Sequence, residues 1–176
     1  MGTKGIFSYM GKLFLYQAIS SLMTLFMCLG VIAFFGKGWW QLLFVSGVPS
    51  IVIYSMAYLE AWKFGFKTLG ATGSGNGKIT LGKVRLDAVL GAVLFELPSI
   101  ILYLLFTVFQ QGAALMLFLI SRYNFFGIYY VLEESAGWRY IIPFLFLLTP
   151  ILALIGFNLG SRDISIVDRI KYKKEK

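Results

Sequence analysis

LFLYQAISSLMTLFMCLGVIAFF, Leu13 to Phe35, runs for 23 residues without a charge. About 20 apolar residues in a helix cross a hydrocarbon core of about 30 Å, so this stretch can span a bilayer by itself. Gln41–Leu59, Ala88–Phe109 and Tyr140–Leu159 reach or approach the same length, and Glu96 is the sole charge in the third of them. Composition agrees, with 59% hydrophobic and 14% charged residues, far from the mix that keeps a domain in water. The pattern predicts an all-α, polytopic integral membrane protein. It has one membrane domain over 1–176, with four transmembrane helices near 13–35, 41–59, 88–109 and 140–159.

Lys4 and Lys12 precede the first span as they would in a secretory signal. Its apolar stretch is too long for a signal core and no small-x-small cleavage site follows, so the span is expected to stay attached. Met1-Gly2 opens a myristoylation pattern, but Ile6 stands where that pattern wants Ser or Thr.

Basic residues collect on the cytoplasmic side of a membrane protein. With four spans and an inner N-terminus, thirteen of the sixteen Lys and Arg fall in inner segments, leaving Lys37, Arg122 and Arg139 outside. Both termini are therefore expected in the cytoplasm and the chain in the plasma membrane. Retention beside anionic lipid accounts for the net charge of +8 without a nucleic-acid partner. Trp39, Trp40, Trp62 and Trp138 all lie at expected interfaces, where amphipathic rings settle. Glu60 and Lys63, a turn apart, can pair at the inner end of span two.

The segment 110–137 is nearly apolar enough for a fifth crossing, but Arg122 and Asn124 sit at its centre. A charge at the bilayer midplane costs about 2.5–3.5 kcal/mol on insertion scales, and a fifth crossing would carry the basic tail outside. An outer interfacial or re-entrant segment is expected instead.

Polar groups within a span mark the faces that meet other helices, since lipid offers them no partner. Gln17, Ser21, Thr24 and Cys28 form one stripe on span one, and Ser46, Ser50 and Tyr54 another on span two; the two are expected to face each other or span three. Glu96 lies eight residues into span three, or about 12 Å deep. No Lys or Arg occurs inside any of the four spans. Without a cationic partner, desolvation favours the neutral acid, which can donate a hydrogen bond or carry a proton. Pro98 is expected to open the helix beside it. These residues, with Glu96 at their head, form a candidate intramembrane polar site.

PSIVIY at 49–54 is echoed by PSIILY at 98–103 on an oppositely directed span, a pattern compatible with an inverted repeat. Gly156-x-x-x-Gly160 offers a close-packing face near the end of span four. The sequence has no histidine and one cysteine, so neither His/Cys metal sites nor Ser-His-Asp or Cys-His catalysis is available. Glu133 and Glu134 point apart on a helix and read as a solvated cap.

GATGSGNGKIT at 70–80 superficially matches a phosphate-binding loop, but Thr72 and Ile79 occupy positions where that motif needs Gly and Ser or Thr. No nucleotide or other cofactor is expected. Residues 63–87 read instead as a flexible cytoplasmic linker, with 79–86 turning as a hairpin through Gly82-Lys83 or leading into span three. In the basic tail, 161–176, Ser165 and Asp168 suggest a capped helix along the inner leaflet. Arg169, Lys171, Lys173 and Lys174 there could contact anionic lipid or a partner.

Three classes of function fit. A non-catalytic accessory or assembly subunit of a larger membrane complex leads; a small transporter or channel, built as a homo-oligomer around Glu96, comes second. A lipid-acting membrane enzyme comes last.

Overall fold

The computed structural model describes residues 3–35, 38–73, 81–133 and 137–164, and these are helical with no strand. α1 is Thr3–Phe35, α2 Val48–Gly73, α3 Leu81–Phe109, α4 Gly112–Ser121, α5 Phe126–Leu132 and α6 Trp138–Gly160. A π-helical stretch, Gln41–Gly47, leads into α2, and a single 3₁₀ turn, Tyr123–Phe125, joins α4 to α5. Among the described residues, four helical stretches are long and apolar enough to cross a membrane: Gly5–Val31, Gln41–Leu69, Gly82–Phe109 and Trp138–Gly160.

The bundle is polar within and greasy without. Phe26, Leu29, Phe34, Ile51, Val108 and Phe144 are exposed, while Gln17, Ser20, Thr24, Glu96, Ser99 and Thr149 are buried. Lipid is as apolar as leucine, so helices in it associate through small residues and hydrogen bonds rather than by hiding apolar surface. α2 and α6 follow that rule most closely. Ala57 and Ala61 on α2 and Ala153 on α6 share one core, and a Cβ added to Gly156 or Gly160 would collide with the carbonyl oxygens of Tyr58 and Trp62. Gly65 is pressed in the same way against Phe157. The G-x-x-x-G face therefore forms the α2–α6 contact.

The prolines of α3 and α6 do not break their helices, so Pro98 bends no gap open beside Glu96. Pro143 has no N–H to give the Arg139 carbonyl one turn back; the Tyr103 hydroxyl donates to it at 2.6 Å.

One expectation changes. The glycine-rich linker is much shorter than 63–87, because α2 continues to Gly73 and α3 starts at Leu81; no hairpin forms through Gly82-Lys83, and 74–80 lie outside the described residues. Trp138 is buried, with its ring against Tyr103, Phe106 and Tyr129. Within the segment 110–137, α4 and the stretch Tyr123–Leu132 are bent by 103° at a break of one residue, Arg122, a geometry compatible with the re-entrant alternative. The tail helix, Arg169, Lys171, Lys173, Lys174 and Glu134 lie outside the described residues.

Candidate functional site

The bend between α4 and α5 positions the site. Gln110 turns the chain out of α3 in the left-handed conformation (φ 54°), and the ten residues of α4 then run back along the bundle for about 15 Å, half a bilayer core. That length delivers Arg122 to the level of Glu96 in α3, Gln17 in α1 and Thr149 in α6, each near the middle of its helix. The helical hydrogen bonding cannot continue through the bend, and Arg122 itself takes neither helical nor strand geometry.

Arg122 is 3% and Glu96 2% exposed. Nη2 of Arg122 donates to Glu96 Oε2 at 2.6 Å, and the hydroxyl of Thr149 donates to Oε1 at 2.5 Å. The guanidinium also donates through Nε to Ser99 Oγ at 2.7 Å, through Nη1 to Gln17 Oε1 at 3.0 Å, and through Nη2 to the Phe95 carbonyl at 3.4 Å. Its central carbon, Cζ, lies 4.2 Å from the centre of the Phe95 ring, where the π-face attracts the cation. The chain of bonds goes on: Gln17 Nε2 donates to Asn124 Oδ1 at 2.8 Å, and Asn124 Nδ2 to Ser50 Oγ at 3.0 Å. Four helices, α1, α2, α3 and α6, are thus tied to Arg122 and the 3₁₀ turn by side chains that lipid could not satisfy. A desolvated ion pair holds only where further hydrogen bonds complete each partner, and both partners here have them.

This arrangement corrects the expectation of an unpartnered acid. Glu96 has a cation, and it comes from the segment expected to keep its charge off the core. Burial of Arg122 is tolerated because the charge is cancelled within hydrogen-bonding distance; insertion scales treat each charge alone.

The polar stripes of α1 and α2 meet through the broken element. Gln17 and Ser50 do not touch but are bridged by Asn124. Ser21 joins only as an acceptor from Gln17 at 3.2 Å. Ser46 receives the backbone N–H of Ile128 at 3.1 Å, where Gly127 packs so closely that a Cβ would stand 2.5 Å from the Gln41 carbonyl oxygen. Thr24 is spent on the carbonyl of Ser20 in its own helix and takes no part. Tyr54 donates to the Leu145 carbonyl of α6 at 3.2 Å.

The two PSI-x-x-Y stretches play matching parts. Ser50 and Ser99 both accept from the tip, Ser50 from Asn124 and Ser99 from Arg122; Tyr54 and Tyr103 both donate to backbone carbonyls of α6. Ser99, Asn124 and Thr149 are site members that reading the sequence did not select, and Arg122 was noticed only as a cost. One signal could have found the pair: a single acid and a single base, each isolated in an otherwise apolar stretch.

In the C-terminal half of α2, Glu60 pairs with Lys63 at 2.7 Å, as expected, and also with Lys12 of α1 at 2.5 Å. Glu133 is exposed and accepts from the Tyr129 hydroxyl. Beside the central network a groove of about 720 Å³ opens between α1, α3 and the end of α4, with Gln17, Ser99 and Arg122 at its polar end. No protein-family model, curated protein or solved structure matches the chain.

Proposed function

We propose that the chain is a non-catalytic accessory or assembly subunit of a larger plasma-membrane complex. In this reading it crosses the bilayer four times with both termini cytoplasmic. The α4–α5 segment enters from the outer side and returns, and the basic tail rests on anionic lipid of the inner leaflet.

The observation that carries the reading is the closure of the central network. Glu96 is held by Arg122 and Thr149 together, and Gln17, Asn124, Ser50 and Ser99 are committed to one another or to Arg122. A proton or ion path needs polar groups that can exchange partners with the traveller. Groups locked in this way instead fix the relative positions of helices, which suits a part whose value to a complex is its shape.

A second reading, a homo-oligomeric transporter, is favoured by one feature: a broken helix whose charged tip sits among mid-helix residues, the layout on which many transporters build their sites. Purification in mild detergent separates the two. Stoichiometric foreign subunits support the first, a homo-oligomer the second, and a lone monomer counts against both. Reporter fusions at both ends test the topology, and a C-terminus found outside would overturn it.

A further inference from the structure

Lys12 of α1 and Lys63 of α2 share one counter-ion. Glu60 is 3% exposed and gives one carboxylate oxygen to each, Oε2 to Lys12 and Oε1 to Lys63. Tyr16 donates to Oε1 as well, at 3.3 Å, so both oxygens are taken. Two cations against one anion leave a surplus of one positive charge, and neither lysine meets a second carboxylate among the described residues. Each ammonium spends one of its three N–H groups on Glu60. Both lysine side chains are about half exposed, so the unspent donors face outward from the bundle.

Depth decides what meets that surplus. The helical stretches Gly5–Val31 and Gln41–Leu69 have 27 and 29 residues, about 40 Å at 1.5 Å per residue, the thickness of a bilayer with its headgroups. Lys12 stands seven residues after the start of the first and Lys63 six before the end of the second, about 10 Å in. That is the boundary between hydrocarbon and headgroups, where lysine stems stretch toward the phosphates. Little water is there to screen a lone positive charge, and the anion that the bilayer itself supplies is lipid phosphate.

Spacing agrees with that anion. The two ammoniums are set apart by the two oxygens of one carboxylate, and two oxygens of one phosphate are about as far apart, so a single phosphate can face both. Toward the middle of the bilayer, Ile19 lies two turns from Lys12 and Leu59 one turn from Lys63, on the same helical stripes. Both are exposed apolar side chains, along which acyl chains can lie.

We propose that Lys12 and Lys63 together hold the phosphate of one glycerophospholipid of single net negative charge, its acyl chains lying along Ile19 and Leu59. A zwitterionic lipid brings its own cation and leaves the surplus standing, whereas one phosphatidylglycerol cancels it. The bound lipid bridges α1 and α2. The site needs only that these two helices cross a bilayer; it is independent of which leaflet is cytoplasmic and of whether the chain serves as a subunit or a transporter.

Native mass spectrometry of the full chain tests it, with detergent micelles titrated separately with phosphatidylglycerol and with phosphatidylcholine of the same acyl chains. The first phosphatidylglycerol is expected to bind more tightly than the first phosphatidylcholine. Lys12→Met and Lys63→Met each weaken it about fivefold, the weight of one lysine beside an anionic head. Each single variant keeps Glu60 paired with the remaining lysine, and either one that folds carries the test. Lys12→Arg, which keeps the charge, binds as the unaltered chain does. Lys67→Met, at an exposed position one turn past Lys63, leaves the affinity unchanged. A loss as large in Lys67→Met as in Lys63→Met would overturn the proposal, because the lipid would then answer to net charge alone. Phosphatidylcholine binding as tightly as phosphatidylglycerol would overturn it too. Displacement of bound phosphatidylglycerol by equimolar glycerol phosphate would assign the lysines to a soluble phosphate ester and overturn the lipid.

Discussion

Arg122 and Glu96 are each untenable alone and stable together, which makes their substitution effects strongly non-additive. Removing one partner of a buried pair leaves an uncompensated charge and costs about 3–5 kcal/mol. Glu96→Gln is therefore expected to lower stability in mixed micelles by that order. Arg122→Gln added to it should restore most of the loss, because two neutral amides can bond across the same gap. If the effects of the two single changes simply add, the pair is not the unit described here. Tyr103 offers a smaller test of the same logic. Tyr103→Phe leaves the Arg139 carbonyl without the donor that replaces Pro143's missing N–H, at a cost of about 1–3 kcal/mol. In a Pro143→Ala background that cost should shrink, since the helix then supplies its own N–H. Thermal unfolding of the four proteins measures both numbers.

For whole helices, spacing of apolar residues and small residues was readable and pairing was not. The four long stretches follow from composition alone, because each is apolar over a bilayer's thickness whatever surrounds it. The G-x-x-x-G face in α6 was readable too, since only glycine admits the Tyr58 and Trp62 carbonyls. Gly160→Leu is expected to force α2 from α6 and to cost more than the about 1–3 kcal/mol of ordinary overpacking, because the obstacle is backbone. Gly30→Ala in α1 has nothing within 4 Å of the new methyl and should raise stability by up to about 1 kcal/mol. Thermal melts that rank these two variants the other way would contradict the α2–α6 contact. The broken α4–α5 element resisted reading for a physical reason. Local sequence shows the cost of Arg122 in an apolar segment, while the compensation lies in residues 23 to 105 positions away. The extension of α2 and α3 into the glycine-rich stretch was missed because glycine content was weighed above the tendency of a helix, once anchored by packing, to continue.

Across the whole molecule, the polar groups form a single continuous tie from α1 through the broken element to α2, α3 and α6, while the outer surface is apolar along every long helix. Glu96→Gln should therefore loosen α4 and α5 first, seen as faster amide exchange from 112 to 132 than along α2 and α6. Uniform acceleration over the chain would mean the network does not hold that element in particular. The order of synthesis imposes a further demand. Glu96 emerges 26 residues before Arg122 and 53 before Thr149, an interval of about 1–5 s for the cation at ordinary elongation rates. For that time the third helix must wait in or beside the insertion machinery with its acid unanswered, so the pair that steadies the finished protein makes its birth depend on what shelters a half-made helix.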